Sequence, residues 1–372
     1  MKFLLLINSL QGGGAERVVQ TFSKYLIENN YEVIIITLYN KPIEYEFNKK
    51  IKILSLDLKW DVLLPTKLFK FRKILNDEKP DVVLSFLVKA NFLNVLSKLY
   101  KNDVPTIISE RSMSLFHYGS NWIGTILKKL IKYLYSKADG IIAVSEGVKQ
   151  SLIQLGVKNE RIQVIYNPQP IEIIQKKMVE KPETIVNFNK PTIVTMGRLV
   201  PSKGHTTLIK AFKLIKQEID CQLLIIGKGP EKLNLEELSK SLNIEKDVIF
   251  LGHLENPFPI LFNCDLFIFT SVYEAFGNAL VEAMICGLPI ISTDCQSGPR
   301  EILKGGECGI LVPLNDEKKL AEAAVRLFLN QNISEHYKVK SKERILDFEM
   351  KKICKQYLEF ISQVNKDRKI RN

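Results

Sequence analysis

Short runs of residues that are apolar almost throughout recur along the whole chain, separated by windows of helical periodicity. In the first half they fall at 3–7, 33–37, 51–56, 81–86, 104–109, 140–144 and 162–166. In the second half they fall at 192–196, 222–226, 248–251, 266–270, 289–292 and 309–312. A strand wetted on one side alternates apolar with polar residues. A strand covered on both faces needs apolar residues at every position, and that is the situation in a parallel sheet flanked by helices. The windows supply those helices. Residues 15–29 place Val18, Val19, Phe22, Tyr25 and Leu26 on one face, and 206–218 do the same with Leu208, Ile209, Phe212 and Ile215. Strand–helix–strand alternation implies right-handed crossovers and an α/β fold of doubly wound, Rossmann-like sheets.

At 372 residues the chain is long for one hydrophobic core, so two domains are expected. Residues 167–191 carry Pro168, Pro170, Pro182 and Pro191 with no clear apolar period. This divides the chain into a first domain at 1–168, a linker at 169–190 and a second domain at 191–349. The tail from about 350 to 372 has helical spacing at Ile353, Tyr357, Phe360 and Ile361 and is expected to pack back on the first domain. Its last residues, 365–372, read as frayed. All six cysteines lie in the second half without a C-x-x-C, which fits buried free thiols in a reducing cytoplasm. No stretch approaches the ~18 apolar residues of a membrane span. Residues 1–170 hold 24 Lys and Arg against 15 Asp and Glu, nine of the chain's twelve net positive charges. Such asymmetry fits an anionic partner of the first half or a solubilising surface.

In open α/β sheets functional groups gather just after the strands. Three such places stand out. "INSLQGGGAERVV" is a strand, a glycine turn at Gly12, Gly13 and Gly14, and a helix. It fits a phosphate-facing helix start or a plain tight turn. "TMGRLVPSKGHTTLIKAF" places Arg198 and Lys203 on one loop, two cations suited to a diphosphate or simply solvated. "SVYEAFGNALVEAMICGLP" places Glu274 and Glu282 around the start of a helix near Gly277 or Asn278. The amides of Gly277, Asn278 and Ala279 favour an anion there, and the acids accept hydroxyls. Alternatively, Glu274 caps the helix and Glu282 answers its dipole in the first turn.

Together these stretches resemble the retaining GT-B glycosyltransferases of family GT4. The E-(seven residues)-E motif, Glu274 to Glu282, carries most of the likeness. "GGAE" at Gly13–Glu16, "GR-x-x-x-x-KG" at Gly197–Gly204, "G-x-GPE" at Gly227–Glu231, "FLGHL" at 250–254, "STDCQSGPREIL" at 292–303 and "GILVP" at 309–313 follow in the family's order over about 300 residues. The resemblance implies two Rossmann-like domains facing a central cleft, an acceptor domain first and a nucleotide-sugar donor domain second. It implies that Arg198 and Lys203 grip the donor diphosphate and that Glu274 meets the sugar hydroxyls. Glu282 would hold the ribose, and Gly277, Asn278 and Ala279 would offer amides. Leu254 would meet the base through its backbone, while Gly13 and Gly14 would let the first domain approach the diphosphate. Many members carry a His after the strand at 104–109. Here the sequence reads "SERSMSLFHYGS", with Glu110 and Arg111 in that place and His117 later. Glu16, Arg111 and His117 are candidate acceptor or phosphate contacts.

The implied activity is transfer of a hexose or N-acetylhexosamine from a UDP-sugar to a lipid-linked glycan in surface polysaccharide or lipopolysaccharide synthesis. No cofactor is expected. No D-x-D occurs, and His117, His205, His253 and His336 are scattered, so no metal is expected either. The rival reading, a UDP-sugar 2-epimerase of the same fold, needs further acid–base residues that are not evident. Nucleic acid is not an expected partner, because no recognition motif accompanies the basic half. Residues 122–138 and 64–75 mix apolar and lysine positions. They fit either helices packed on the sheet or an anionic membrane surface at the cytoplasmic face.

Overall fold

The computed structural model describes residues 1–57, 64–99, 103–112, 122–295 and 297–371. It divides into two compact units, Met1–Pro168 with Met350–Asn372, and Gln169–Glu349. The first unit holds a seven-stranded sheet: β1 (Lys2–Ile7), β2 (Glu32–Thr37), β3 (Lys52–Ser55), β4 (Val82–Phe86), β5 (Thr106–Glu110), β6 (Gly140–Ala143) and β7 (Ile162–Val164). The spatial order is β3-β2-β1-β4-β5-β6-β7. All pairings are parallel, with Phe3 opposite Val33 on one side and Val82 on the other.

The uniform apolar runs are explained by what covers them. Phe3, Leu5 and Ile7 face one layer, packing with Val18, Val19, Phe22 and Leu26 of the helix Gly14–Glu28. Leu4 and Leu6 face the other, with Leu68, Phe71 and Leu75 of the helix Leu64–Glu78. The helix Met350–Arg371 adds Ile353, Tyr357, Ile361 and Val364 to the first of these layers. It continues in register to Arg371 rather than fraying at 365, and Arg368 sits 3.7 Å from Asp139.

The second unit holds β8 (Thr192–Met196), β9 (Gln222–Ile226), β10 (Val248–Gly252), β11 (Leu266–Phe269), β12 (Ile290–Thr293) and β13 (Ile310–Val312). Its order is β10-β9-β8-β11-β12-β13, again parallel. Its main apolar layer joins Ile193, Leu223 and Ile268 to Leu208, Phe212 and Ile215 of the helix His205–Glu218. Residues 169–190 are not simply a linker. They start within the second unit, and Ile171–Lys177 is a helix with Ile171 and Ile174 buried. That helix packs on the helices Phe258–Phe262 and Asn278–Ile285. Two buried apolar positions in seven residues are enough to seat so short a helix and too few to show a period.

Candidate functional site

From β8 the chain winds to β9 and β10; from β11 it winds the opposite way to β12 and β13. β8 and β11 are therefore neighbours whose following segments diverge, the arrangement that opens a ligand crevice at the carboxyl ends of a doubly wound sheet. Arg198 and Lys203 follow β8, and Glu274 follows β11.

Three links fasten those two segments together. Val272 N–H donates to the carbonyl of Ser202 at 2.9 Å, and Thr270 Oγ1 donates to that of Lys203 at 2.9 Å. The Lys203 ammonium then forms an ion pair with the Glu274 carboxylate. Gly204 permits this approach. Its φ is 64°, and a Cβ there would lie 2.1 Å from the Thr270 carbonyl oxygen. Gly204→Ala is expected to cost about 1–3 kcal/mol through backbone strain and to push Lys203 out of place. A lowered calorimetric midpoint together with lost activity checks this; an unshifted midpoint contradicts it.

The Lys203 and Glu274 side chains each retain 20% exposure, so both stay reachable from solvent. The Lys203 ammonium stands 5.4 Å from the centroid of Phe269, whose apolar ring keeps water from one side of the charge. The Arg198 side chain is exposed and has no hydrogen-bond or ion-pair partner among the described residues.

The helix Asn278–Ile285 starts at Gly277, with φ 107° and no side-chain cap. Glu274 is therefore not its cap; its carboxylate is drawn to Lys203 instead. The backbone of Gly277, Asn278 and Ala279 makes the positive end of the helix. Glu282 lies in the second turn rather than the first and is only 3% exposed. Leu254, two residues beyond β10, is buried as well. Asn278 Oδ1 accepts a hydrogen bond from Gln169 Nε2 at 3.1 Å, which fixes the side chain at the helix start.

In this unit, among the described residues, the buried side-chain atoms lacking a partner are Gln169 Oε1, His205 Nδ1 and Ser271 Oγ. Each belongs to a segment just described. Unsatisfied polar atoms are rare in folded interiors, and each marks a place suited to a polar ligand or bound water.

His205 opens the helix that follows Gly204. Burial first, and then the neighbouring Lys203 charge, pull its pKa down to about 4. The folded state thus resists a proton that the unfolded chain takes up below about pH 6.5. Stability should fall as pH drops from 6.5 to 4, by up to about 3 kcal/mol at 1.36 kcal/mol per pKa unit. His205→Asn should flatten that part of a stability–pH profile; an identical slope in the variant contradicts the assignment.

In the first unit the glycine turn is already occupied. Gly12 N–H donates to Glu44 Oε2 at 2.7 Å and Gly13 N–H to the Tyr45 hydroxyl at 3.1 Å. These amides were expected to be open to a ligand. The chain's own Glu44 carboxylate meets one of them and the neutral Tyr45 hydroxyl another. Gly14 is the first residue of the helix, and the Glu16 carboxylate folds back against Gly13.

Arg111 is likewise engaged within its own unit. Its terminal nitrogens reach Asn167 Oδ1 and the Tyr357 hydroxyl, and its guanidinium lies 5.2 Å from the Phe86 ring centroid. It ties the end of β5 to the C-terminal helix, and a phosphate contact would have to displace these bonds. Its neighbour Glu110 is fully buried, and desolvation raises its pKa. The Glu110 carboxyl accepts from the Ser112 hydroxyl and amide and from the Arg111 amide, and it bonds the Tyr135 hydroxyl. His117 lies outside the described residues.

Gln169, Glu44, Tyr45 and the Glu110 network were not foreseen as parts of these sites. Only Glu110 left a signal, a charged residue ending a strand that is otherwise covered on both faces.

Residues 12–172 match the model of Glycosyltransferase Family 4, and residues 177–344 match that of Glycosyl transferases group 1. A relative from Campylobacter jejuni, N-acetylgalactosamine-N,N'-diacetylbacillosaminyl-diphospho-undecaprenol 4-alpha-N-acetylgalactosaminyltransferase, is 31% identical over 97% of this chain and 99% of its own. The lipopolysaccharide 1,6-galactosyltransferase of Salmonella typhimurium is 29% identical over 84% of this chain and 85% of its own. Among solved structures, Anabaena Alr3699/HepE in complex with UDP and glucose superposes with a TM-score of 0.82. It is 20% identical and covers 97% of this chain and 99% of its own.

Proposed function

The chain belongs to the group 1 glycosyltransferases of family 4, with the GT-B fold of two Rossmann-like domains, and on that premise we propose that it is a retaining, metal-independent enzyme using a UDP-sugar. The donor is a hexose or N-acetylhexosamine, and the acceptor is a glycan carried on a lipid diphosphate. Such an acceptor brings the enzyme to the inner face of the plasma membrane. The juxtaposition of Lys203 with Glu274 at the switch point of the second sheet carries this reading.

As the bond to the sugar breaks, the nucleoside diphosphate gains negative charge. Lys203 and Arg198 stabilise that charge, with the Gly277–Ala279 backbone at the helix start. Glu274 accepts hydrogen bonds from hydroxyls of the donor sugar while holding the Lys203 ammonium in line. Glu282 serves the ribose hydroxyls and Leu254 the base. Two cations, Lys203 held by Glu274 and the open Arg198, fill the role that a metal clamp plays where a D-x-D motif is present, so activity should persist in chelator. The relatives support a glycan acceptor: the Campylobacter enzyme's name specifies a diphospho-undecaprenol substrate, and the Salmonella enzyme's a lipopolysaccharide.

Mass spectrometry of products from a panel of UDP-sugars with polyprenyl-diphosphate-linked glycans, in EDTA, tests the proposal. One added sugar and released UDP support it. No transfer from any UDP-sugar, or transfer only with added metal, contradicts it.

A further inference from the structure

The helix Trp122–Tyr135 is apolar on two sides, and among the described residues the fold buries only one of them. Ile131, Leu134 and Tyr135 are buried against the first unit. Trp122, Ile123, Ile126, Leu130 and Tyr133 point outward, with Trp122 73% and Tyr133 57% exposed. At about 100° per residue these five fall within an arc of roughly 100°. Large apolar residues scattered singly over a surface need no explanation, but a continuous stripe along one helix does.

The stripe's charges indicate what covers it. Lys129, Lys132 and Lys137 are exposed on and beside it and have no acidic partner among the described residues. The stretch 122–138 contains no Asp or Glu at all. A second helix extends the same character. On Leu64–Glu78, Phe69 is exposed between exposed Lys70 and half-buried Lys67, with exposed Lys73 one turn on. Both helices pack against the helix Val88–Leu99, so they lie on one side of the sheet. Among the described residues no helix is long and apolar enough to cross a membrane.

We propose that the outward stripe of Trp122–Tyr135 lies in the surface of an anionic lipid bilayer, with Phe69 beside it. The proposal rests on the lipid-linked acceptor given above and identifies the surface that meets the lipid. Trp and Tyr seat at the headgroup level, the isoleucines and leucine enter the acyl boundary, and the lysines meet lipid phosphates. A second copy of the chain is the poorer occupant, because a two-fold contact would set this lysine-flanked, acid-free helix against its own charge.

Cosedimentation of the full chain with phosphatidylcholine vesicles, with and without phosphatidylglycerol, tests the proposal. Binding is expected only to the phosphatidylglycerol vesicles and should weaken at high salt. Ile126→Asp combined with Trp122→Ala should reduce it at least tenfold, while transfer to a water-soluble acceptor analogue stays unchanged. The vesicles contain neither donor nor acceptor, so this readout is separate from the assigned reaction. Wild-type protein that ignores phosphatidylglycerol overturns the proposal, as does a double variant that binds as well as wild type. A dimer that the double variant abolishes, with no vesicle binding, overturns it in favour of a self-association surface.

Discussion

Lys203→Ala slows sugar transfer about a hundred- to a thousand-fold and leaves the protein folded. The magnitude is that of removing one fixed donor from a site where charge develops on the leaving group. The fold survives because the Lys203 side chain supports no core packing. Its loop is held through backbone by Ser202, Thr270 and Val272, and Glu274 retains enough exposure to be hydrated alone. Glu274→Ala should produce a loss of similar size, because it removes a sugar contact and frees the Lys203 ammonium to wander. The two residues touch, so their effects should not add. The double variant should lose clearly less than the product of the two single losses. Single-turnover transfer rates, with circular dichroism to confirm folding, check all three variants. Near-normal turnover of either single variant contradicts the assignment.

Glu110→Ala destabilises the first unit by about 2–4 kcal/mol. The carboxyl is fully buried and is the meeting point of Ser112, the Arg111 amide and Tyr135. Tyr135 also accepts from Asn91, whose amide reaches the Ser109 carbonyl and whose Oδ1 accepts from Ser85. Truncation leaves several buried polar atoms without partners, and each costs far more than the bond it made was worth. Glu110→Gln keeps the shape and one acceptor, so its loss should be smaller and its transfer rate near normal. Urea unfolding of the three proteins measures this. Wild-type stability in Glu110→Ala contradicts the network's role, and a large kinetic defect in a stable Glu110→Gln contradicts its confinement to structure.

Strands were the most legible feature of the chain. The inner strands are covered on both faces, so they had to be written as uninterrupted apolar runs; edge strands such as β3 and β7 carry exposed positions, and all thirteen runs became strands. The short helix at 171–177 was hidden for the opposite reason, since only Ile171 and Ile174 are needed to seat it. The motif residues around Lys203 and Glu274 could be picked out, but their contact could not. They stand 71 residues apart, and they meet because β11 lies beside β8 rather than beyond β10. Strand order in a doubly wound sheet is not encoded in any local pattern. The glycine turn was legible as a place for anions, whereas its occupation by Glu44 and Tyr45 depends on a loop with no period of its own. The membrane-like stripe was ambiguous for a simpler reason. Trp122–Tyr135 carries apolar residues on more than half its circumference, so periodicity shows that the helix has an apolar face without showing which part is turned outward.

A crystal structure of the chain with an intact or non-hydrolysable UDP-sugar decides whether Lys203 and Glu274 form the donor site. The diphosphate is expected within hydrogen-bonding distance of Lys203 Nζ and of the backbone at Gly277–Ala279, with Glu274 on a sugar hydroxyl. A diphosphate bound elsewhere, with Lys203 and Glu274 still paired only to each other, contradicts it.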